Sequence, residues 1–109
     1  MSSKPIHPGK VLAEELAAAG VKPAELARQL AVPANRISQI INGKRAITGD
    51  TALRLAHWFK TQPERWLSLQ AAYDVHMAQR EAGSEIARLP TMHANQNNPR
   101  SILHGRQKI

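Results

Sequence analysis

The 109-residue chain has no cysteine, which removes disulfide frameworks and thiolate metal sites and fits a reducing cytosol. Aromatic residues are nearly as scarce. Two Trp, one Tyr and one Phe leave the core to Leu, Ile, Val and Ala. No apolar run approaches the roughly 20 residues that cross a bilayer, and the opening MSSKPIHPGK lacks the apolar stretch of a signal peptide. No membrane role is expected. Acids are few too, with eight Asp and Glu against fifteen Lys and Arg and a formal charge of +7. That excess suits a polyanionic partner. It is also unevenly placed, because Arg28 to Lys60 holds six basic residues with Asp50 as its one acid.

Catalysis finds little support. Glu14 and Glu15 are adjacent, so on a helix their side chains diverge and cannot act as a pair across a substrate. His7, His57, His76, His93 and His104 show no compact ligand spacing, and no glycine-rich phosphate loop is present. The expectation is no enzyme, no metal and no cofactor.

What the chain does have is helical periodicity, and β-alternation of useful length is absent, so the fold class is all-α. Leu12, Leu16 and Ala19 recur at helical spacing before Gly20 stops the run. Pro23 opens a second helix with Leu26, Ala27 and Leu30 on one face, weakly capped by Lys22. Pro33 breaks it and opens a third, which ends near Asn42-Gly43. Thr48 is a suitable N-cap for a fourth, lined by Ala52, Leu55, Ala56 and Phe59. Thr61-Gln62-Pro63-Glu64 reads as a capping box opening a long fifth helix of about 20 residues, roughly 30 Å. Gly83 and Pro90 end that pattern. The domain reading is residues 1–5 as a flexible N-terminus, 6–82 as the folded domain, 83–90 as a connector and 91–109 as a flexible, disordered basic tail.

The stretch VPANRISQIINGKR, Val32 to Arg45, carries the functional signal. Ile37, Ile40 and Ile41 share one face of a short helix, at about 100° per residue. Asn35, Gln39 and Asn42 lie almost opposite, with Arg36 and Ser38 on the shoulders. A helix anchored by isoleucines and offering amides, a hydroxyl and a guanidinium suits base edges in a major groove, where Asn and Gln pair with adenine and Arg with guanine. Lys44 and Arg45 follow the helix and suit phosphates, which position without reading sequence. Only three or four residues separate helices two and three, the spacing of a helix-turn-helix. An exposed face of this kind would ordinarily be mere solvation; the tight turn and local charge favour DNA. Helix three has no aromatic residue for stacking, which argues against an RNA reader.

ELARQLAVPANRISQIINGKR resembles the helix-turn-helix of Xre/Cro-type repressors. With IHPGKVLAEEL before it, KRAITGDTALRLAHWF overlapping it and PERWLSLQAAYD after it, the chain from about Ile6 to Glu81 resembles the HigA (VapI-like) antitoxins. That resemblance implies a cytoplasmic antitoxin that binds a RelE-like ribonuclease toxin, HigB, and represses its own operon as a homodimer on double-stranded operator DNA. It places Ala34 and Asn35 at base-contact positions, with Gln39 one turn later. Together with the facing argument, the base-contact set is Ala34, Asn35, Arg36, Ser38 and Gln39, and the phosphate set Asn42, Lys44 and Arg45. Two departures stand out. Ala34 can touch a thymine methyl but makes no bidentate bond. Ala31 occupies a turn position where the wider class often has Gly, and a left-handed Ala costs about 1–2 kcal/mol, so an adjusted turn is expected.

One short reading helix makes few base contacts, and helix-turn-helix proteins commonly dimerise with half-sites about 34–36 Å apart. Trp66, Leu69, Tyr73 and Met77, at i, i+3, i+7 and i+11, are the candidate dimer stripe on the fifth helix; the bland alternative is that they pack on their own domain. The competing function is a stand-alone Xre-type repressor with no toxin partner.

Overall fold

Proline and glycine punctuate the chain, and a computed structural model, which describes residues 4–92, shows where each break falls. Five helices follow in order: α1 (Pro8–Ala19), α2 (Pro23–Leu30), α3 (Ala34–Ile41), α4 (Gly49–Phe59) and α5 (Pro63–Ala87). Among the described residues there is no strand. Pro8, Pro23 and Pro63 each take the first helical position, where a missing N–H costs nothing and the fixed φ favours helix. Gly20 closes α1 in the left-handed conformation, with its amide and that of Val21 returned to Ala17 and Leu16.

The core is aliphatic, as the composition requires. Leu12 and Leu16 of α1, Leu26 and Leu30 of α2, Ile37 and Ile40 of α3, and Leu55 of α4 meet there, with Trp66 of α5 wholly enclosed. Ile47 joins them from the α3–α4 connection. One close approach depends on a missing side chain. A Cβ on Gly9 would lie 1.8 Å from the carbonyl oxygen of Ile40, so the start of α1 rests directly on the end of α3.

Several expectations about the fifth helix need correction. Gln62, not Thr61, is its N-cap, and no side chain bonds the cap. Pro63 occupies the first helical position and holds the preceding residue extended. Thr61 therefore lies one residue too early, and Glu64 is too early in the helix for a reciprocal bond. Thr48 is the N-cap of α4, as expected, yet it too makes no side-chain cap bond. The helix also runs through Gly83 to Ala87, 25 residues in all, or about 37 Å. The Gly83 φ is not left-handed, and an added Cβ would meet only Gln79 at 3.8 Å; one helical glycine costs only about 1 kcal/mol. The boundary placed at 82/83 thus falls inside α5. Most of the expected tail, residues 93–109, lies outside the described residues, as do residues 1–3.

Candidate nucleic-acid interface

α2 and α3 pack against each other across the three residues Ala31 to Pro33. The turn is not adjusted to spare its alanine. Ala31 takes the left-handed conformation (φ 59°, ψ 45°), and its amide and that of Val32 bond back to Arg28 and Ala27 at 3.2 and 3.0 Å. These bonds close the end of α2 and offset the strain. Ala31 is also exposed, so its methyl meets no crowding beyond its own backbone.

Ile37 and Ile40 are fully buried, and this sets the pose of α3. Ala34, Asn35 and Ser38 are exposed and Gln39 is half-buried, so these groups face outward or lie at the edge. Asn42, Lys44 and Arg45 are exposed just beyond the helix. Gly43, at φ 75°, lets the chain turn there while the Lys44 amide bonds to Gln39 at 2.8 Å.

Arg36 stands differently from the expectation. Its Nη1 donates to Asp50 at 2.7 Å, and its Nε is buried without a partner among the described residues. In this structure the guanidinium is a strut between α3 and α4 rather than a free base reader. Asp50 also accepts from Arg54 Nε at 3.0 Å, and Arg54 Nη1 donates to the Leu30 carbonyl at 2.8 Å. One carboxylate thus links α3 to α4 and, through Arg54, to the end of α2. Hydrogen bonds from Arg54 and then from Arg36 hold the Asp50 carboxyl below the usual carboxylate range. Local sequence carries no sign of this, since Arg36 and Asp50 are 14 residues apart.

Beside the strut lies an open cleft of about 400 Å³ lined by Arg36, Arg45, Ala46, Thr48, Asp50 and Thr51. It abuts the amino end of α4, whose first N–H groups receive no side-chain cap. Such a helix end with an adjacent Arg can hold a phosphate oxygen. Thr48 belongs with the candidate phosphate set for this reason, although its sequence position reads simply as a cap.

α5 corrects the dimer stripe. Trp66 is fully buried in its own domain and cannot meet a partner. Leu69 packs on the core, Tyr73 meets His7 edge to face at 4.9 Å, and Met77 is half-buried. Trp66 and Leu69 fasten α5 to its own domain, while Tyr73 and Met77 keep part of their surface exposed. A second apolar line, missed in the sequence, is centred about 150° around the helix from Trp66. Leu67 and Ala78 are eleven residues apart, as are Ala71 and Ala82, and Val75 and Ile86, while Leu89 follows two residues beyond the end of α5. Val75, Ile86 and Leu89 are 62%, 55% and 55% exposed. An eleven-residue repeat matches 3.67 residues per turn, so the stripe runs almost straight along the helix. The signal that could have found it is the eleven-residue spacing itself, which the aromatic pattern of Trp66 and Tyr73 on the other face overshadows.

Among the described residues no helix is long and apolar enough to cross a membrane, and no group of three or more His, Cys, Asp or Glu could hold a metal.

Comparison with known proteins agrees with this geometry. Residues 12–67 match the helix-turn-helix family model HTH_3. Virulence-associated protein I of Dichelobacter nodosus is 44% identical over 80 residues, 72% of this chain and 74% of that protein. Among solved structures, an addiction module antidote protein of the HigA family from Coxiella burnetii is 50% identical. It superposes with a TM-score of 0.79 over 84% of this chain and all of the other. The antitoxin HigA of Pseudomonas aeruginosa, solved with the higBA promoter, is 35% identical with a TM-score of 0.78, covering 83% of this chain and all of that one. An Xre-type helix-turn-helix with this five-helix frame and these relatives is a member of the HigA (VapI-like) antitoxin family.

Proposed function

We propose that this chain is a cytoplasmic antitoxin that neutralises a RelE-like HigB toxin and represses its own operon as a homodimer. The observation that carries the DNA half is the pose of α3. Its isoleucines are locked in the core while Asn35, Ser38 and Gln39 stay on the outer side, next to the basic turn at Lys44–Arg45. The relative from Pseudomonas aeruginosa was solved with the higBA promoter, which supports DNA binding by this chain. Ala34, Asn35, Ser38 and Gln39 read base edges. Asn42, Lys44, Arg45 and Thr48 grip phosphates. Arg36 contributes by holding α3 against α4.

The dimer uses the outer stripe of α5, with a second copy of this chain as its occupant. Alternation of alanines with Val, Ile and Leu lets one such stripe seat against another, and a two-fold contact requires a patch that is complementary to itself. The eight residues of α3 offer too few contacts for a unique address, so a second reading helix gives the stripe a function.

The test is coexpression with the adjacent gene, followed by footprinting of the purified complex on the upstream DNA. The expected result is copurification of a small basic toxin and protection of an inverted repeat with half-sites about 34–36 Å, or a multiple of that, apart. A chain that purifies alone yet protects such a repeat would make it a stand-alone repressor. A chain that protects no upstream DNA would overturn the proposal.

A further inference from the structure

The stretch LSLQAAYD near the start of α5 has a part that neither the core nor the outer stripe explains. Its Leu69 packs on the core and its Tyr73 meets His7. Gln70 lies between them, one helical turn after Trp66 and on the same side, and is only 6% exposed. A buried side-chain amide needs partners at both ends, and this one has them. Its Oε1 accepts from the Ile47 amide at 2.7 Å, and its Nε2 donates to Asp74 Oδ1 at 3.0 Å. A backbone N–H can only donate and a carboxylate only accept, so Asp74 dictates which way the Gln70 amide is turned.

Ile47 stands in the α3–α4 connection, among the residues proposed to grip phosphates. The amides of Asn42, Gly43 and Lys44 return to carbonyls of α3 at 2.8 to 3.0 Å, so the front of the connection follows that helix. Beyond Lys44 the chain leaves α3, and Ile47 is pinned elsewhere: its side chain lies in the core and its amide on Gln70. Arg45, two residues before it, and Thr48, one residue after it, are exposed and line one cleft. A shift at Ile47 therefore moves both. We infer that Gln70, oriented by Asp74, is the positioning residue of the phosphate grip, holding Arg45 and Thr48 at a fixed height relative to α3 through the Ile47 amide. The consequence rests on the DNA-binding reading; the tether itself does not. Without the Gln70 oxygen a buried N–H has no partner, and the connection must move to bring it to water. Gln70 touches no base, so its loss should weaken the grip without changing which sequence is preferred.

Variants of the full chain test this on two probes, a duplex selected from a random pool with the wild-type protein and a scrambled duplex. Gln70→Leu keeps most of the volume and removes the acceptor. Loss of one phosphate contact should weaken both duplexes about 5-fold per protomer at about 0.15 M salt, or about 30-fold for a dimer. The salt slope should flatten by about 1 per protomer. Gln70→Glu retains an acceptor but sets a carboxylate against Asp74, and it should bind about as weakly. Adding Asp74→Asn to it restores both bonds with the polarity of the pair reversed, because the new carboxylate accepts from Ile47 and from the introduced amide. That double variant should recover to within about 3-fold of wild type, an interaction between sites that unrelated damage would not produce. In the free protein, hydrogen exchange at the Ile47 amide should be slow in wild type and in the double variant, and fast in Gln70→Leu. Circular dichroism checks that each variant folds; if Gln70→Leu does not, the rescue of Gln70→Glu by Asp74→Asn decides. A folded Gln70→Leu with wild-type affinity or an unchanged salt slope, or a Gln70→Glu defect that Asp74→Asn leaves in place, would overturn the assignment. Selection of no duplex at all would instead sink the DNA-binding reading, and the Ile47 exchange rate would still decide whether Gln70 holds the connection.

Discussion

Ala31→Gly should make this protein more stable, although it deletes a methyl group. Ala31 is held at φ 59° and ψ 45°, where an L-residue costs about 1–2 kcal/mol and glycine almost nothing. Against that relief stands the extra freedom of glycine in the unfolded chain, about 0.4–1 kcal/mol. No buried contact is lost, because Ala31 is exposed, and the amides of residues 31 and 32 keep their bonds to α2. The net gain is about 0.5–1 kcal/mol, a rise in Tm of roughly 3–6 °C for a domain of this size. Urea unfolding followed by circular dichroism, at one protein concentration so that any self-association contributes equally, should show a higher midpoint with an unchanged slope. Gly20→Ala provides the mirror experiment. Gly20 sits at φ 71° with open space where a Cβ would go, so the same strain should appear there as a loss. If Ala31→Gly unfolds at or below the wild-type midpoint, or Gly20→Ala proves neutral, left-handed strain is not what these turns contain.

Three further outcomes test other parts of the molecule. Gly9→Ala forces a Cβ to within 1.8 Å of the Ile40 carbonyl, so α1 and α3 must separate; chemical unfolding should register a loss of about 3 kcal/mol, at the upper end of overpacking costs. Gln39→Ala should cost about 1–3 kcal/mol on the operator and little on scrambled DNA, whereas Arg45→Ala should weaken both alike and flatten a salt dependence of slope near −7 for a dimer on about eight phosphates. Equal losses on the two DNAs for Gln39→Ala would remove it from the reading set. Val75→Asp, on the exposed stripe, should weaken the dimer by at least about 2 kcal/mol, roughly 30-fold in dissociation constant, by burying an unpaired carboxylate. Sedimentation equilibrium measures this, and a helical signal that stays unchanged would show that the fold survives. A Val75→Asp protein that remains as dimeric as wild type would move the interface elsewhere.

These experiments bear on different kinds of information in the chain. The apolar spacing at Leu26, Leu30, Ile37 and Ile40, together with the prolines at 23 and 33, already implies two short helices joined by a tight turn. It also implies which side of the second faces outward. Asn35 and Ser38 follow from that facing, because a helix wheel needs only neighbours within a turn or two. Ala31 shows the limit of such reasoning. Its position at a strained turn was legible, but whether the turn would yield or the residue would bear the strain depended on the bonds closing α2. Thr61 and Gly83 misled for a related reason. A capping residue and a helix breaker are weak local preferences, and Pro63 overrode the first while the continuous apolar stripe on α5 fits the second.

By itself the sequence determined five helices, an aliphatic core, the outward set on α3 and the basic turn after it, because each depends on periodicity and chain stiffness over a few residues. Only the tertiary structure decided that Arg36 is bound to Asp50, that Trp66 belongs to its own core, that α5 turns a second apolar line outward, and that His7 meets Tyr73. Those outcomes depend on which surfaces meet after the helices pack. Partners 14 to 66 residues apart share no local pattern, and their distances follow from the packing of the whole domain.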